Sequence, residues 1–291
     1  MERDGPRGAD GIRVVAIGHA DYPAWLRRIH EPPARLWVRG RLVADEGERS
    51  VAIVGARAAT PLGAAFARTL ARDLAAAGLT IVSGLARGID TAAHAGALAA
   101  GGRTVAVLGS GIDAVYPREN ARLADAIADA GVLASEYPPG TSPQPFHFPR
   151  RNATIAGWSR LVVVVEAGVK SGALITARLA LDEGRDVMAV PGHPSQPCCA
   201  GTNALLRDGA ALVRDAGDVL AELGLSPLLL PPSEVAEADP VLACFRRGVP
   251  RGVDEIAGRV GCPLPALLAR LSQLELTGAL RRLPGGLFVR S

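Results

Sequence analysis

Residues 51–83 read VAIVGARAATPLGAAFARTLARDLAAAGLTIVS, and this stretch decides the fold. Two short apolar runs, Val51–Val54 and Leu79–Val82, flank Leu62–Ala77, in which apolar residues recur at helical spacing. Short strands that are apolar throughout are buried on both faces, which is typical of a parallel sheet covered by helices. The stretch therefore predicts one strand–helix–strand unit, with the right-handed crossover that such units adopt.

The same alternation continues towards the C-terminus. Further apolar runs are Thr104–Leu108, Gly131–Ser135, Leu161–Val165, Asp186–Val190 and Ala211–Val213. Stretches with helical periodicity lie between most of them, at Asp90–Ala100, Arg118–Ala130, Ser171–Glu183 and Thr202–Asp208. Repeated units at this spacing predict an α/β fold, a Rossmann-like, doubly wound and mostly parallel sheet. We assign it to residues 51–225, and we expect residues 1–50 to form a disordered tail and a strap packed on this domain.

The pattern changes after a Pro-rich linker at residues 226–238. Three short helices (Pro240–Arg246, Val253–Val260 and Pro263–Glu275) and a hairpin that turns at Pro284-Gly285 predict a small winged-helix domain at residues 239–291. Such domains bind either duplex DNA or proteins. The predicted third helix carries only Arg270 as a cation, which leaves both roles open.

Composition narrows the class of protein. The net charge of +3 is too small to indicate a polyanionic partner by itself, so the placement of charge has to carry that argument. The cysteines (Cys198, Cys199, Cys244 and Cys262) lack the spacing of a metal site or a disulfide framework, which indicates a reducing cytoplasm. No apolar run has the length of a signal peptide or a membrane span. We therefore expect a cytoplasmic protein without a metal, a cofactor or a membrane anchor.

Gly-rich loops follow the predicted strands. They are Gly55–Pro61, Ser83–Asp90, Gly109–Gly111 and Ala167–Gly172. Any one of them is most simply a tight turn, but the carboxyl ends of parallel strands share one edge, where ligands bind. Helix N-termini and arginines at that edge bind phosphates, and a row of them suits a chain of phosphates better than one nucleotide. We expect Thr60, Asp90 and Ser171 to cap the helices that begin at these loops.

A long predicted connection, residues 136–153, contains the run Phe146-His147-Phe148-Pro149-Arg150-Arg151-Asn152. Aromatic rings beside guanidinium groups hold unpaired bases without reading their sequence. We expect Phe146 to plug the core beneath the loop. For Phe148, the sequence leaves a core role and a base-stacking role open.

These blocks together resemble the DNA-processing protein A family (DprA, also called Smf). The matching motifs are Val54–Arg57, Ser83–Asp90 with Ala93-His94, Tyr116–Asn120, Phe148–Asn152, Ser171–Ala177, Val190–Gly192 and Gly201–Asn203. The resemblance implies a protein that binds single-stranded DNA, forms a homodimer through its Rossmann-like domain and helps to load the RecA recombinase. In that family, this activity protects incoming DNA during natural transformation.

The resemblance also implies site residues. It assigns strand binding to Arg57, Arg118, Arg151 and Asn152 and to the backbones of Gly84 and Gly109, with Phe148 stacking on bases. Together with the loop residues, the candidate DNA-binding set is Gly55, Arg57, Ser83, Gly84, Gly109, Ser110, Arg118, Phe148, Arg151, Asn152, Lys170, Ser171 and Gly172. Two departures from the family stand out: we expect no full N-terminal helical domain, and Ala153 occupies a position where another arginine is expected.

Three other functions occur on related folds. The loop after the first predicted strand of the domain lacks G-x-G-x-x-G, which argues against a nicotinamide dehydrogenase. A nucleotide phosphoribohydrolase on a related sheet needs a P-G-G-x-G-T-x-x-E motif, and the nearest string is Pro191-Gly192-His193. Glu166 follows a strand and is either a base or a carboxylate that orders helix ends. A winged-helix transcription factor is the third alternative. We predict a non-catalytic protein in which His94 packs or caps rather than catalyses.

Overall fold

The computed structural model describes residues 11–43, 45–225, 240–245, 249–261, 264–276, 279–283 and 286–290. The chain divides into two compact units, Met1–Leu228 and Leu229–Ser291. The predicted tail up to residue 10 and the predicted linker at residues 226–238 lie outside the described residues.

A nine-stranded sheet forms the centre of the first unit. Its strands are β1 (Ile12–Ala16), β2 (Arg35–Gly40), β3 (Ser50–Val54), β4 (Thr80–Ser83), β5 (Thr104–Leu108), β6 (Val132–Ser135), β7 (Leu161–Val164), β8 (Asp186–Ala189) and β9 (Ala211–Leu212). Their order is β1-β2-β6-β5-β4-β3-β7-β8-β9. The β1–β2 and β2–β6 pairs are antiparallel, and the pairs from β3 to β9 are parallel.

Helices cover both faces of this sheet. They are α1 (Pro61–Ala76), α2 (Ile89–Ala99), α3 (Ala121–Ala130), α4 (His147–Trp158), α5 (Gly172–Asp182), α6 (Ala200–Arg207) and α7 (Ala216–Glu222). Side chains alternate along β3, so that Ala52 and Val54 join one buried cluster and Val51 and Ile53 the other. The predicted doubly wound, mostly parallel sheet is confirmed.

The strand order reverses between β3 and β7. From β3 the chain builds outward through β4 and β5 to β6, and then returns through α4 to place β7 on the other side of β3. The loops that follow β3 and β7 consequently diverge to opposite faces of the sheet. A crevice opens at such a point, outside the carboxyl ends of the strands.

Two features of the first unit differ from the sequence-based expectation. The predicted strap does pack on the domain, with Tyr22 and Leu26 fully buried, but its residues 35–40 also form strand β2. The predicted connection 136–153 was wrong from residue 147 onward, because α4 begins at His147. Pro149 hides this start, although a proline fits the first turn, where its missing N–H has no partner within the helix.

The second unit has its own small core. It contains α8 (Pro240–Ala243), β10 (Arg251–Gly252), α9 (Val253–Val260), α10 (Leu264–Leu276), β11 (Leu280–Leu283) and β12 (Leu287–Arg290). Its three strands pair in the order β10-β12-β11, and Phe245, Ile256, Leu271 and Phe288 lie in the core. This arrangement confirms the predicted winged helix. In neither unit do the described residues include a helix with the length and apolarity needed to cross a membrane.

Candidate nucleic-acid interface

An open groove of about 950 Å³ lies at the crevice between the loops that follow β3 and β7, and we call it the main groove. Helix α4 forms part of its wall. Among the residues that line it are Gly55, Ala56, Arg57, Asp90, Tyr116, Phe148, Arg151, Asn152, Val169, Lys170, Ser171, Gly172 and Ile175. A smaller pocket adjoins it and adds Gly84, Arg87 and Gly109. The arrangement brings groups from distant parts of the sequence to one edge of the sheet.

The loop after β3 is anchored to the loop after β7. Thr60 is the N-cap of α1, and its hydroxyl accepts a hydrogen bond of 3.0 Å from the Gly63 N–H, as predicted. Glu166 in turn accepts from the Thr60 N–H at 2.9 Å and from the Thr60 hydroxyl. The buried Glu166 carboxylate therefore orders the start of α1, which agrees with the structural interpretation of this residue rather than with a role as a base.

Arg57 and Phe148 lie against each other in the main groove. The Arg57 guanidinium lies 4.9 Å from the centroid of the Phe148 ring, and the centroids of the Tyr116 and Phe148 rings lie 6.0 Å apart. Phe148 is half-buried, and a Cβ atom on Gly109 would lie 3.0 Å from its ring. Phe148 belongs to the groove wall, and its ring lies close to Arg57, which forms no ion pair with any residue that the structure describes, and 5.8 Å from the buried Arg151 guanidinium.

Arg151 and Asp90 form the floor of the groove. The Arg151 side chain is buried, and its Nη1 donates to the Val107 carbonyl at 3.3 Å. The Asp90 carboxylate accepts from the Gly84 N–H at 3.1 Å and the Ala86 N–H at 3.3 Å. Burial raises the pKa of Asp90, and the Arg151 charge and these N–H donors oppose that rise. Burial likewise lowers the pKa of Arg151, and Asp90 opposes this change.

Gly84 makes room for the buried guanidinium. A Cβ atom at this position would lie 1.3 Å from the Arg151 Nη1 atom, so no other residue fits without displacing Arg151. Arg151 therefore lines the groove from below, whereas Arg57 and Lys170 are exposed at its rim. Three of the four predicted cations, Arg57, Arg151 and Lys170, thus differ in how they would meet a ligand.

Several expectations need correction. The Ser83 and Ser110 side chains are buried and donate to the Ile53 and Ala114 carbonyls, at 2.7 and 2.6 Å, so neither hydroxyl faces the groove. Asp90 does not cap α2, since Gly88 occupies the N-cap position and Asp90 orders the preceding loop instead. Phe146 is 71% exposed, so the prediction that it plugs the core was wrong.

The remaining predicted residues fall into three groups. The main groove brings together Gly55, Arg57, Phe148, Arg151, Asn152, Lys170, Ser171 and Gly172. Gly84 and Gly109 line the adjoining pocket. Arg118 is exposed in the short 3-10 turn Arg118–Asn120 but lines neither. Ser171 caps α5, as predicted, by accepting from the Ala173 N–H at 3.3 Å.

Sequence reasoning missed some of the lining residues. Tyr116 was noted only as part of a motif, and its position before Pro117 is the signal that could have marked it. Val169 and Ile175 expose 71% and 45% of their surface at the groove. Val169 lies in a Gly-rich loop, where an apolar residue is the corresponding signal, whereas Ile175 lies in the first turn of α5. Arg87 lines the adjoining pocket, but Glu119 pairs with its Nε at 2.6 Å and neutralises it.

His94 lies away from both pockets. It is fully buried, and its Nδ1 lies 2.7 Å from the Thr104 hydroxyl. Burial lowers the pKa of His94 to about 3, which keeps the imidazole neutral near pH 7. His94 therefore packs, as predicted.

Known proteins similar to this chain agree with one another. The family model for "DNA recombination-mediator protein A" matches residues 13–224, and the model for "DprA winged helix domain" matches residues 229–286. DNA processing protein DprA of Bacillus subtilis is 43% identical over 213 residues, which is 73% of this chain and 72% of the relative. Protein Smf of Escherichia coli is 39% identical over 277 residues, which is 91% of this chain and 74% of the relative.

Solved structures give the same result. DprA of Streptococcus pneumoniae superimposes with a TM-score of 0.69 at 44% identity, covering 72% of this chain and 74% of that one. DprA of Helicobacter pylori superimposes with a TM-score of 0.66 at 29% identity, covering 74% of this chain and 96% of that one. The Helicobacter pylori structure is described as showing a unique mode of single-stranded DNA binding.

Proposed function

Because this chain belongs to the DNA-processing protein A family, we propose that it binds single-stranded DNA along the main groove without modifying it. The observation that carries the proposal is the Arg57–Phe148 pair, whose guanidinium and ring lie 4.9 Å apart at the groove rim. A base stacks on an aromatic ring irrespective of its identity, while a guanidinium binds the adjacent phosphate. The pair therefore suits an unpaired strand rather than a particular sequence.

The form of the groove supports an extended ligand. It is open, and the residues that line it come from the loops after β3 and β7 and from α4. Lys170 adds a second exposed cation, and the Gly172 backbone lies at the start of α5, where free N–H groups face outward. A mononucleotide would need an enclosing pocket, whereas a strand passes through an open one.

The carboxylates of this region support a binding role. A nucleotide phosphoribohydrolase needs a carboxylate free to act on the sugar. Glu166 is held by Thr60, and Asp90 is held by the backbone of the loop that ends at α2. Both carboxylates are buried and serve the architecture of the groove.

The test is a binding titration with unpaired and duplex DNA of the same sequence. We expect a strong preference for the unpaired strand, because in a duplex both faces of each base are covered by neighbours. Arg57→Glu should weaken binding to unpaired DNA by about 100-fold or more, through loss of one cation and gain of one anion. The matched control is Arg68→Glu, the same charge reversal at an exposed arginine of α1 that lines neither pocket.

Two outcomes would overturn the proposal. One is equal affinity for paired and unpaired DNA, which is the behaviour expected of a winged-helix transcription factor. The other is an equal effect of Arg57→Glu and Arg68→Glu, which would mean that only net charge matters.

Family membership supports finer proposals as well. We infer that the chain acts in the cytoplasm as a homodimer, protects incoming DNA during transformation and helps to load RecA on it. A mass of two chains by light scattering at micromolar concentration is expected for the dimer, and a mass of one chain would contradict it. For RecA, the expected result is faster filament formation on DNA that already carries this protein.

A further inference from the structure

A second groove, of about 490 Å³, lies beside the first turn of α4. Its aromatic and basic lining consists of Arg35, Trp37, Tyr137, Phe146, His147 and Arg150. We call it the second groove. None of its residues belongs to the candidate set that the sequence predicted.

Helix α4 separates the two grooves and presents a different face to each. Phe148, Asn152 and Ile155 line the main groove and follow one another at helical spacing. Phe146, His147 and Arg150 line the second groove and lie on the opposite face. Both grooves are therefore lined by residues of the same turn, with His147 in the second groove and Phe148 in the main groove.

Aromatic side chains line the second groove, and one of them is largely exposed. Tyr137 stacks on His147 with centroids 3.9 Å apart, and Phe146 meets the His147 ring edge-on at 4.6 Å. Tyr137 and His147 are largely buried in this contact, but Phe146 leaves 71% of its surface exposed. An exposed aromatic ring at the edge of a groove offers a face on which an unpaired base stacks.

The charges of the second groove favour an anionic ligand. Arg150 is neutralised by Glu136, whose Oε2 lies 2.7 Å from the Arg150 Nε. Arg35 is exposed, lies over the Trp37 ring at 5.9 Å, and has no ion pair within the described part of the chain. One free guanidinium beside aromatic rings repeats the chemistry of Arg57 and Phe148 in the main groove.

We propose that the second groove binds a further nucleotide of the same single strand, with its base on Phe146 and a phosphate at Arg35. The inference rests on the proposed function of the main groove. The strand leaves that groove over the first turn of α4, and α4 then holds two bases, on Phe148 and on Phe146, on opposite sides. A short strand fills the main groove alone, and a longer one reaches both.

The test is a length series of oligothymidylates, from about 4 to 20 nucleotides, against the full chain and its variants. Phe146→Ala should leave the affinity for the shortest strand that binds unchanged. It should lower the affinity for the longest strand about 5- to 100-fold, because stacking of one base on an aromatic side chain contributes about that much to binding. Arg35→Ala should show the same dependence on length, with a smaller loss at high salt.

Matched controls separate this effect from the effect of removing any exposed apolar side chain. Leu181→Ala removes another exposed apolar side chain, 58% exposed near the end of α5 and outside both grooves, and should change no affinity. Phe146→Trp keeps a stacking surface and should retain the affinity for long strands. Its added fluorescence should be quenched by long oligothymidylates and not by the shortest ones.

The outcomes distinguish the two proposals. If the unaltered chain binds no oligothymidylate, both are overturned. If it binds and Arg57→Glu abolishes binding while Phe146→Ala matches the unaltered chain at every length, only the second groove is overturned. A loss that is the same for short and long strands would also overturn it, since Phe146 would then act on the main groove.

Discussion

At the scale of single residues, the floor of the main groove is a buried polar cluster. Arg151 and Asp90 lie together beneath the exposed Arg57, and the neutral His94 lies near enough for the Arg151 charge to disfavour its protonation. Buried ionic groups of this kind are costly unless each has partners. Here the N–H groups of Gly84 and Ala86 donate to the Asp90 carboxylate and the Val107 carbonyl accepts from Arg151 Nη1, whereas Arg151 Nε has no hydrogen-bond partner among the described residues.

His94 gives a pH-dependent prediction. Its pKa is about 3 in the folded chain, against an ordinary value of 6.5, so between these values the unfolded chain takes up a proton that the folded chain excludes. The stability should therefore be unaffected by this residue above pH 6.5, and should fall as the pH is lowered towards 3. The slope that His94 contributes approaches about 1.4 kcal/mol per pH unit within that window.

Urea unfolding between pH 4 and 7, followed by tryptophan fluorescence, measures this slope. Trp25, Trp37 and Trp158 all lie in the first unit and report its unfolding. His94→Gln should reduce the slope, whatever it does to the stability at pH 7. The exposed His30 provides the control, and equal slopes for His94→Gln and His30→Gln would contradict the prediction.

At the scale of elements, the sequence predicted those parts of the molecule that follow a local rule. Strands β3 to β9 are short apolar runs, and their order along the chain fixes a doubly wound sheet. The caps Thr60 and Ser171 were also predictable, since each is a hydroxyl immediately before a helical stretch. Because these strands are parallel, their carboxyl ends lie at the same edge of the sheet, and the sequence therefore predicted where the candidate site lies.

The parts that sequence reasoning missed depend on contacts between distant residues. Nothing local shows that β2 pairs with β6, because Arg35–Gly40 and Val132–Ser135 are far apart in the chain. Helix α4 was missed because Phe146 and Pro149 obscure its start. The side chains of Arg151 and Ser83 were placed at the surface by their type, whereas tertiary packing buries both.

The junction between α1 and the loop after β7 gives a prediction for an element. The Thr60 hydroxyl caps α1 and also donates to Glu166, so Thr60→Ala should remove both of these interactions and keep the hydrogen bond from the Thr60 N–H to Glu166. The expected loss of unfolding free energy is about 1–2 kcal/mol, the usual cost of a lost N-cap. Thr60→Ser keeps the hydroxyl and should restore most of this loss.

Urea unfolding of the two variants measures this effect, and a strand-binding titration extends it to the groove. Thr60→Ala loses the hydroxyl that donates to Glu166 but keeps the backbone N–H that also donates to it, so the loop that carries Arg57 should loosen in part and bind unpaired DNA modestly more weakly. If Thr60→Ala were as stable as Thr60→Ser, the prediction would be contradicted, because the Glu166 carboxylate would then order the start of α1 without the Thr60 hydroxyl.

At the scale of the whole molecule, net charge explains little. The chain has 32 basic and 29 acidic residues, so a bound strand gains almost nothing from the overall charge of +3. Many arginines form ion pairs that neutralise their charge, among them Arg87 with Glu119, Arg150 with Glu136 and Arg214 with Asp218. The salt dependence of binding should therefore follow the free cations of the grooves.

This argument predicts a shallow salt dependence for a short strand. Arg57 and Lys170 are the exposed cations that line the main groove, and each phosphate contact contributes about −0.7 to the slope of log K against log salt concentration. Two contacts give a slope of about −1.4 for an oligothymidylate that fills the main groove alone. Arg57→Ala should halve it, whereas Arg68→Ala, which changes the net charge equally, should leave it unchanged. A slope steeper than about −4, or equal effects of the two variants, would mean that phosphates are held by the surface at large rather than by this edge of the sheet.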